Sequence, residues 1–244
     1  MRTLLALAAL LPLAAHALTA DELVAKNLAA RGGAEKLRAI KSVQWTGKLR
    51  FNGGGGMVEA DYKATARAPG RVRESINVQG FDNIYAYDGK SGWKIEPGGG
   101  RRDPERLSAD DAKSLVEDAD FTGFLLDAKA RGFKLEYLGT DDVDGTGAHK
   151  LKVTRGNGDF HYVFLDPDQF LEIRTETHRW VRGTEEVAEA DFGEYENVNG
   201  TFWPFLVSSG PKGGGKSIAL IEKLELDLPA DDALFRFPET AKKK

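Results

Sequence analysis

From Val43 the chain alternates with a period of two, placing Val43, Trp45, Gly47, Leu49 and Phe51 on one side and Gln44, Thr46, Lys48 and Arg50 on the other. Successive side chains of a strand point to opposite faces, so the pattern predicts an antiparallel strand with one face buried. It resumes at Val58, Ala60, Tyr62, Ala64 and Ala66, and similar runs follow as far as Ile218 to Leu228. Between the runs stand Gly53 to Gly56, Pro69-Gly70, Asp88-Gly89, Asp144-Gly145, Asn157-Gly158 and Asn199-Gly200. These are residues that tight hairpins favour, because several turn types need a positive φ. About eleven strands with short connections predict a mainly β chain, folded as one strongly curved antiparallel sheet or incomplete barrel.

Two segments depart from this period. Thr19 with Glu22 three residues later is a capping box, and Leu23, Val24 and Leu28 follow before Gly32-Gly33, which predicts a short opening helix. In mid-chain, Ser108 precedes Ala112, Leu115, Val116 and Ala119 at helical spacing, and Phe121, Phe124, Leu125 and Ala128 repeat that spacing. Two amphipathic helices are therefore expected as an insertion. Their apolar stripes need an apolar partner, and the open side of a curved sheet is the one available. A lid over a cavity and a permanent plug of core both satisfy that requirement.

The N-terminal residues carry Arg2, an apolar run from Leu4 to Ala15, and Ala15-His16-Ala17, the order of an export signal with its cleavage site. Residues 1–17 are read as that signal and 18–244 as a single domain, soluble and periplasmic after cleavage. The run from Leu4 to Ala15 is well short of the roughly 20 apolar residues of a membrane span, and no later stretch is both long and free of charge. The sequence has no cysteine, so disulfides, thiolate ligands and a lipid-modified cysteine anchor are excluded. Its 34 Lys and Arg against 38 Asp and Glu make it mildly acidic, which argues against nucleic acid as a partner. A monomer is expected.

The segment Gly210-Pro211-Lys212-Gly213-Gly214-Gly215-Lys216-Ser217 matches a phosphate-binding loop letter for letter. That motif needs a helix after the serine, but Ile218, Leu220, Leu224, Leu226 and Leu228 predict a strand, so a hairpin loop is expected and no nucleotide. Asp142-Val143-Asp144-Gly145 opens like a calcium loop, yet it lacks the fifth-position ligand and the closing glutamate. His149, His161 and His178 show no metal-site spacing. No nucleophile stands beside a base, and neither a metal, a cofactor nor an enzymatic activity is expected.

What remains is apolar. A barrel too wide for its own side chains leaves a cavity suited to lipophilic ligands. The expected cargo-binding set is Trp45, Phe51, Tyr62, Trp93 and Phe164 from strands with Phe121, Phe124 and Leu125 from the lid.

Tyr87-Asp88-Gly89-Lys90-Ser91-Gly92-Trp93 with Pro97, Tyr162 to Asp166 with Pro167 and Leu171 to Ile173, and Leu228 to Pro238 ending in Phe235-Arg236-Phe237-Pro238 resemble segments of the LolA-like periplasmic carriers of outer-membrane lipoproteins. The resemblance implies an incomplete antiparallel barrel with a helical lid, a lipid, acyl chain or lipoprotein as cargo, and the C-terminal segment packed on the sheet. It also implies membrane-associated envelope proteins as partners, and a non-enzymatic envelope sensor or scaffold as the alternative role. The carriers place an arginine before the proline that ends the second strand. Ala68 stands there before Pro69, so lid control by that residue does not carry over.

Overall fold

The computed structural model describes residues 18–97 and 102–238. The expected signal, residues 1–17, lies outside them. Two helices open the described chain, α1 (Ala20–Ala30) and α2 (Ala34–Ala39). The capping box is formed, with Thr19 Oγ1 accepting from the Glu22 amide at 3.2 Å and Glu22 accepting from the Thr19 amide at 2.7 Å.

Thirteen strands then form one antiparallel sheet. They are β1 (Ser42–Gly53), β2 (Gly56–Arg67), β3 (Arg71–Val78), β4 (Phe81–Tyr87), β5 (Gly92–Ile95), β6 (Glu105–Arg106), β7 (Lys134–Val143), β8 (Thr146–Thr154), β9 (Phe160–Leu165), β10 (Glu172–Val181), β11 (Thr184–Val198), β12 (Thr201–Pro211) and β13 (Ser217–Leu226). The count exceeds the expected eleven because short edge pieces such as β6 carry too few residues to show a period.

The sheet order is β6-β5-β4-β3-β2-β1-β13-β12-β11-β10-β9-β8-β7. The chain thus meanders outward from β1 to one edge, crosses to the far edge at β7, and meanders back until β13 pairs with β1. The barrel closes along β1 and β13 and stays open between β6 and β7. Register shifts at Thr46/Gly47, Glu172/Arg174 and Tyr137/Thr140 mark bulges, which bend a sheet and raise its twist. Gly47 is required at the first: a Cβ there would meet the Leu220 carbonyl oxygen at 2.0 Å.

The crossover, residues 107–133, is the lid. It contains α3 (Lys113–Asp118), opened by Ser108 and Asp111 in a local turn. The second expected helix is absent, and residues 120–132 are a series of turns. Gly123 at φ +89° and Asp127 at φ +55° break the helical ladder. The apolar residues nevertheless face inward, Leu125 being 1% exposed.

Two apolar clusters fasten helices and lid to the inner face. Leu37 of α2 joins Val43, Ala66, Val72, Leu115, Leu126, Trp203 and Leu224, while Leu23 of α1 joins Leu125, Leu151, Val153, Val163 and Leu165. Leu23 and Leu37 are fully buried, worth roughly 1.5–3 kcal/mol apiece by removal from water. The C-terminal segment lies on the other face. Trp93 Nε1 donates to the Phe235 carbonyl at 2.8 Å, and Arg71 donates to Asp232 at 3.0 Å.

Candidate functional site

Between the two clusters the inner face and lid do not meet, and a cavity of about 510 Å³ remains. The alternation of each strand decides what enters it. Trp45 and Leu49 of β1, Tyr62 and Ala64 of β2, and Val72, Glu74 and Ile76 of β3 wall one side. Phe192, Trp203, Val207, Ala219 and Ile221 of β11 to β13 continue the wall, and Phe121 and Phe124 close it from the lid. The surface is largely apolar.

Of the residues expected to hold cargo, Trp45, Tyr62, Phe121 and Phe124 line this cavity. Phe51 shares the inner register with Leu49 but sits beyond the cavity, paired with Val58 near the hairpin tip. Leu125 is buried beneath the lid in the cluster with α1. The structure moves two residues to the opposite face. Trp93 follows the inward Gly92 and packs outward against Phe235 and Phe237, its ring centroid 6.3 Å from that of Phe237. Phe164 alternates with the inward Val163 and Leu165, and packs outside with Val143 and Ala148. In β9 both faces are apolar, so alternation cannot tell inside from outside.

The polar groups of the cavity were missed by sequence reasoning. Glu74 stands at an inward position of β3 between Val72 and Ile76, a charge at i±2 from two apolar residues, and that placement was the available signal. Tyr62 Oη donates to Glu74 Oε1 at 3.3 Å. Asp118, the last residue of α3, lines the same space and is partly open to solvent. Burial, and next the charge of Glu74, hold the Asp118 carboxyl well above the ordinary range. Burial likewise raises Glu74, against the Tyr62 hydrogen bond, and pushes the Tyr62 phenol up.

Arg31, only 4% exposed, enters from the α1–α2 link. Its Nη1 donates to the Thr122 carbonyl at 2.7 Å and lies 3.7 Å from Glu172 Oε1 on β10. The lid turn is thereby tied to the sheet. Asp120 and Phe121 of that turn also border a second hollow of about 460 Å³ next to Arg38, Pro69 and Arg155, so the lid is one residue layer thick there.

The three histidines among the described residues are structural neighbours of aromatic rings. His149 bonds Tyr137, His178 stacks on Phe160, and His161 lies under Phe124. The phosphate-loop match is the hairpin between β12 and β13; Ser217 opens a strand, and Lys216 Nζ is held by Glu189 at 2.5 Å and by Asp191. Asp142 to Gly145 is the β7–β8 turn, with Asp144 and Gly145 at positive φ. Among the described residues no group of three carboxylates or histidines converges as a metal site, and no helix is long and apolar enough to cross a membrane.

No family model and no curated protein matches the sequence. Solved structures do match in shape. A LolA superfamily protein from Nitrosomonas europaea is 17% identical, with 90% of this chain and 98% of that one covered at a TM-score of 0.59. A DUF1329 family protein from Desulfovibrio piger is 14% identical, with 87% and 95% covered at 0.58. A putative outer membrane lipoprotein-sorting protein domain from Vibrio parahaemolyticus is 11% identical, with 87% and 100% covered at 0.55. With its open meander, its crossover lid and these likenesses, the chain has the LolA-like fold.

Proposed function

We propose that this chain is a periplasmic carrier or chaperone, a single domain behind an export signal, which holds the apolar part of a lipid-like or acylated cargo between sheet and lid. The observation that supports it is the cavity itself. Its volume of about 510 Å³ is walled by Trp45, Leu49, Phe192 and Val207 and filled by none of them. Ligand sites typically span roughly 300–1,000 Å³ and are mostly apolar with a few placed polar groups. No covalent chemistry is needed for such a role, and Trp45, Tyr62, Phe121 and Phe124 would be the contacts. The outer-membrane lipoprotein-sorting name of one structural neighbour fits cargo of this class.

The test is native mass spectrometry of protein purified gently from periplasm, combined with titration of a neutral fluorescent lipophile. Co-purified lipid and saturable probe binding are expected; an empty protein with no probe binding would overturn the proposal.

A second reading, an envelope scaffold that binds a protein, is favoured by the free edge of β7. Leu138 stands there 49% exposed on a strand whose outer side pairs with no strand among the described residues, the kind of edge to which a partner strand adds.

A further inference from the structure

The cavity is unbalanced in charge on one side. Most acids near the lid are answered by a cation: Asp120 by Arg131, Glu172 by Arg31, and Glu117 Oε2 by Arg179 Nη1 at 2.8 Å. Glu74 and Asp118 are not. Glu74 receives only the Tyr62 hydroxyl, and Asp118 takes no hydrogen bond or ion pair from any described residue. The nearby Arg179 is already shared between Glu117 and Glu186. Glu117, which also lines the cavity, has a side chain only 10% exposed, and its Oε1 is buried with no partner.

Glu74, half-buried, and Asp118, exposed, line one space with no cation paired to either, and like charges placed together repel. One kind of occupant removes that repulsion. A primary ammonium carries a positive charge and three N–H donors with no acceptor. That inventory matches a wall whose two side chains left without a cation, Glu74 and Asp118, are both acidic. Since no three of these groups converge as metal ligands among the described residues, and most of the remaining lining is apolar, the cation would be organic and carry an apolar body.

We infer that the cavity selects amphiphiles with a cationic nitrogen head, seated between Glu74 and Asp118 with the apolar body along Trp45, Leu49 and Val207, over anionic ones such as free fatty acids. The inference rests on the cargo-binding reading above and narrows it to a ligand class. A carboxylate head brought to the same wall adds a third like charge, while a hydroxyl head is intermediate.

The experiment compares dodecylamine, dodecanol and dodecanoate as competitors of the neutral probe N-phenyl-1-naphthylamine, using the full exported chain below the critical micelle concentration of each. Dodecylamine is expected to bind at least roughly tenfold tighter than dodecanol, and dodecanoate more weakly than both. In Glu74→Gln/Asp118→Asn the shape is kept and the charge removed. The amine should lose its advantage while dodecanol stays within about twofold, its unchanged affinity serving as the check that the variant is folded. Dodecanoate binding tightest, or an amine preference unchanged in the double variant, would overturn the inference. Probe binding that none of the three displaces would overturn it while leaving the cavity reading intact. Failure of the probe itself to bind would remove the cavity reading and this inference with it.

Discussion

Phe124 lies flat on His161, the two ring centroids 3.7 Å apart and the planes 12° from parallel. This contact joins a turn of the lid to β9, far from it in sequence, and it roofs one end of the cavity. Stacked aromatic pairs contribute about 0.5–1.5 kcal/mol beyond the area they bury. Phe124→Ala should therefore destabilise the fold by roughly 2–4 kcal/mol, read as a lower denaturant midpoint with an unchanged slope. A loss under half a unit would mean that the lid does not rest on this ring.

The same contact makes His161 a pH-dependent element. Its imidazole is fully buried, with Nδ1 on Thr177 Oγ1 at 3.0 Å and Nε2 without a partner. Burial first, then the charges of Arg155, Arg179, His178 and Arg131, lower its pKa from 6.5 to about 3. Between those values the unfolded chain binds a proton that the folded chain does not, so stability is full above pH 6.5 and falls as the pH drops toward 3. Glu74 and Asp118 act oppositely, since their raised pKa values make the folded state gain from acid. The difference between parent and His161→Gln isolates the histidine: the parent should lose stability more steeply between pH 6.5 and 4, by a few kcal/mol in total at roughly 1.4 kcal/mol per unit. Parallel curves for the two proteins would refute it.

The sheet was readable because alternation and turn chemistry agreed. Asn199-Gly200 and Asp144-Gly145 sit at positive φ in hairpins where the residue pairs had marked them. What was not readable has a common cause, namely that period shows an apolar face without showing what covers it. Trp93 and Phe164 are both buried, at 2% and 3% exposure, but under the C-terminal segment and an outer cluster rather than in the cavity. The second lid helix failed at Gly123, whose positive φ lets the Arg31 guanidinium approach; a Cβ there would lie 3.0 Å from Nη1. Arg31 itself sits beside Gly32-Gly33 in the sequence and gives no local sign of reaching residue 122.

Arg31 is expected to be the fastening of the lid. Arg31→Met keeps the length of the side chain, but it leaves the Thr122 carbonyl without its donor and Glu172, 14% exposed, without its cation. Breaking a buried pair from one side costs about 3–5 kcal/mol. Local opening should become visible as faster amide exchange in residues 120–124 than in β1. Exchange that rises equally everywhere would show global destabilisation instead of a loosened lid.

Lys216→Ala tests the phosphate-loop match. Lys216 lies on the outer face, held by Glu189 and Asp191, with Arg174 also 2.5 Å from Asp191. Because Arg174 remains to balance the acids, the loss should stay near 1 kcal/mol, seen in thermal unfolding. ATP binding that is measurable in the parent and disappears in the variant would contradict the hairpin assignment of its chemistry.

The cavity and the plug make different predictions at Ala219, which sits on the inner face between Leu49 of β1 and Val207 of β12 and lines the open space. In a packed core, adding a ring there costs about 1–3 kcal/mol or more, because neighbours must leave their rotamers. In a cavity of about 510 Å³ the ring of Ala219→Phe enters vacant volume and buries its own apolar area, so the unfolding midpoint should hold or rise. The ring then occupies the place of cargo, and affinity for a neutral lipophile should fall by at least roughly tenfold, about 1.4 kcal/mol. Retained stability with lost binding is the signature of a carrier site. A protein that is strongly destabilised by Ala219→Phe, and whose parent binds no probe, would show that sheet and lid are closed on each other and that nothing is carried between them.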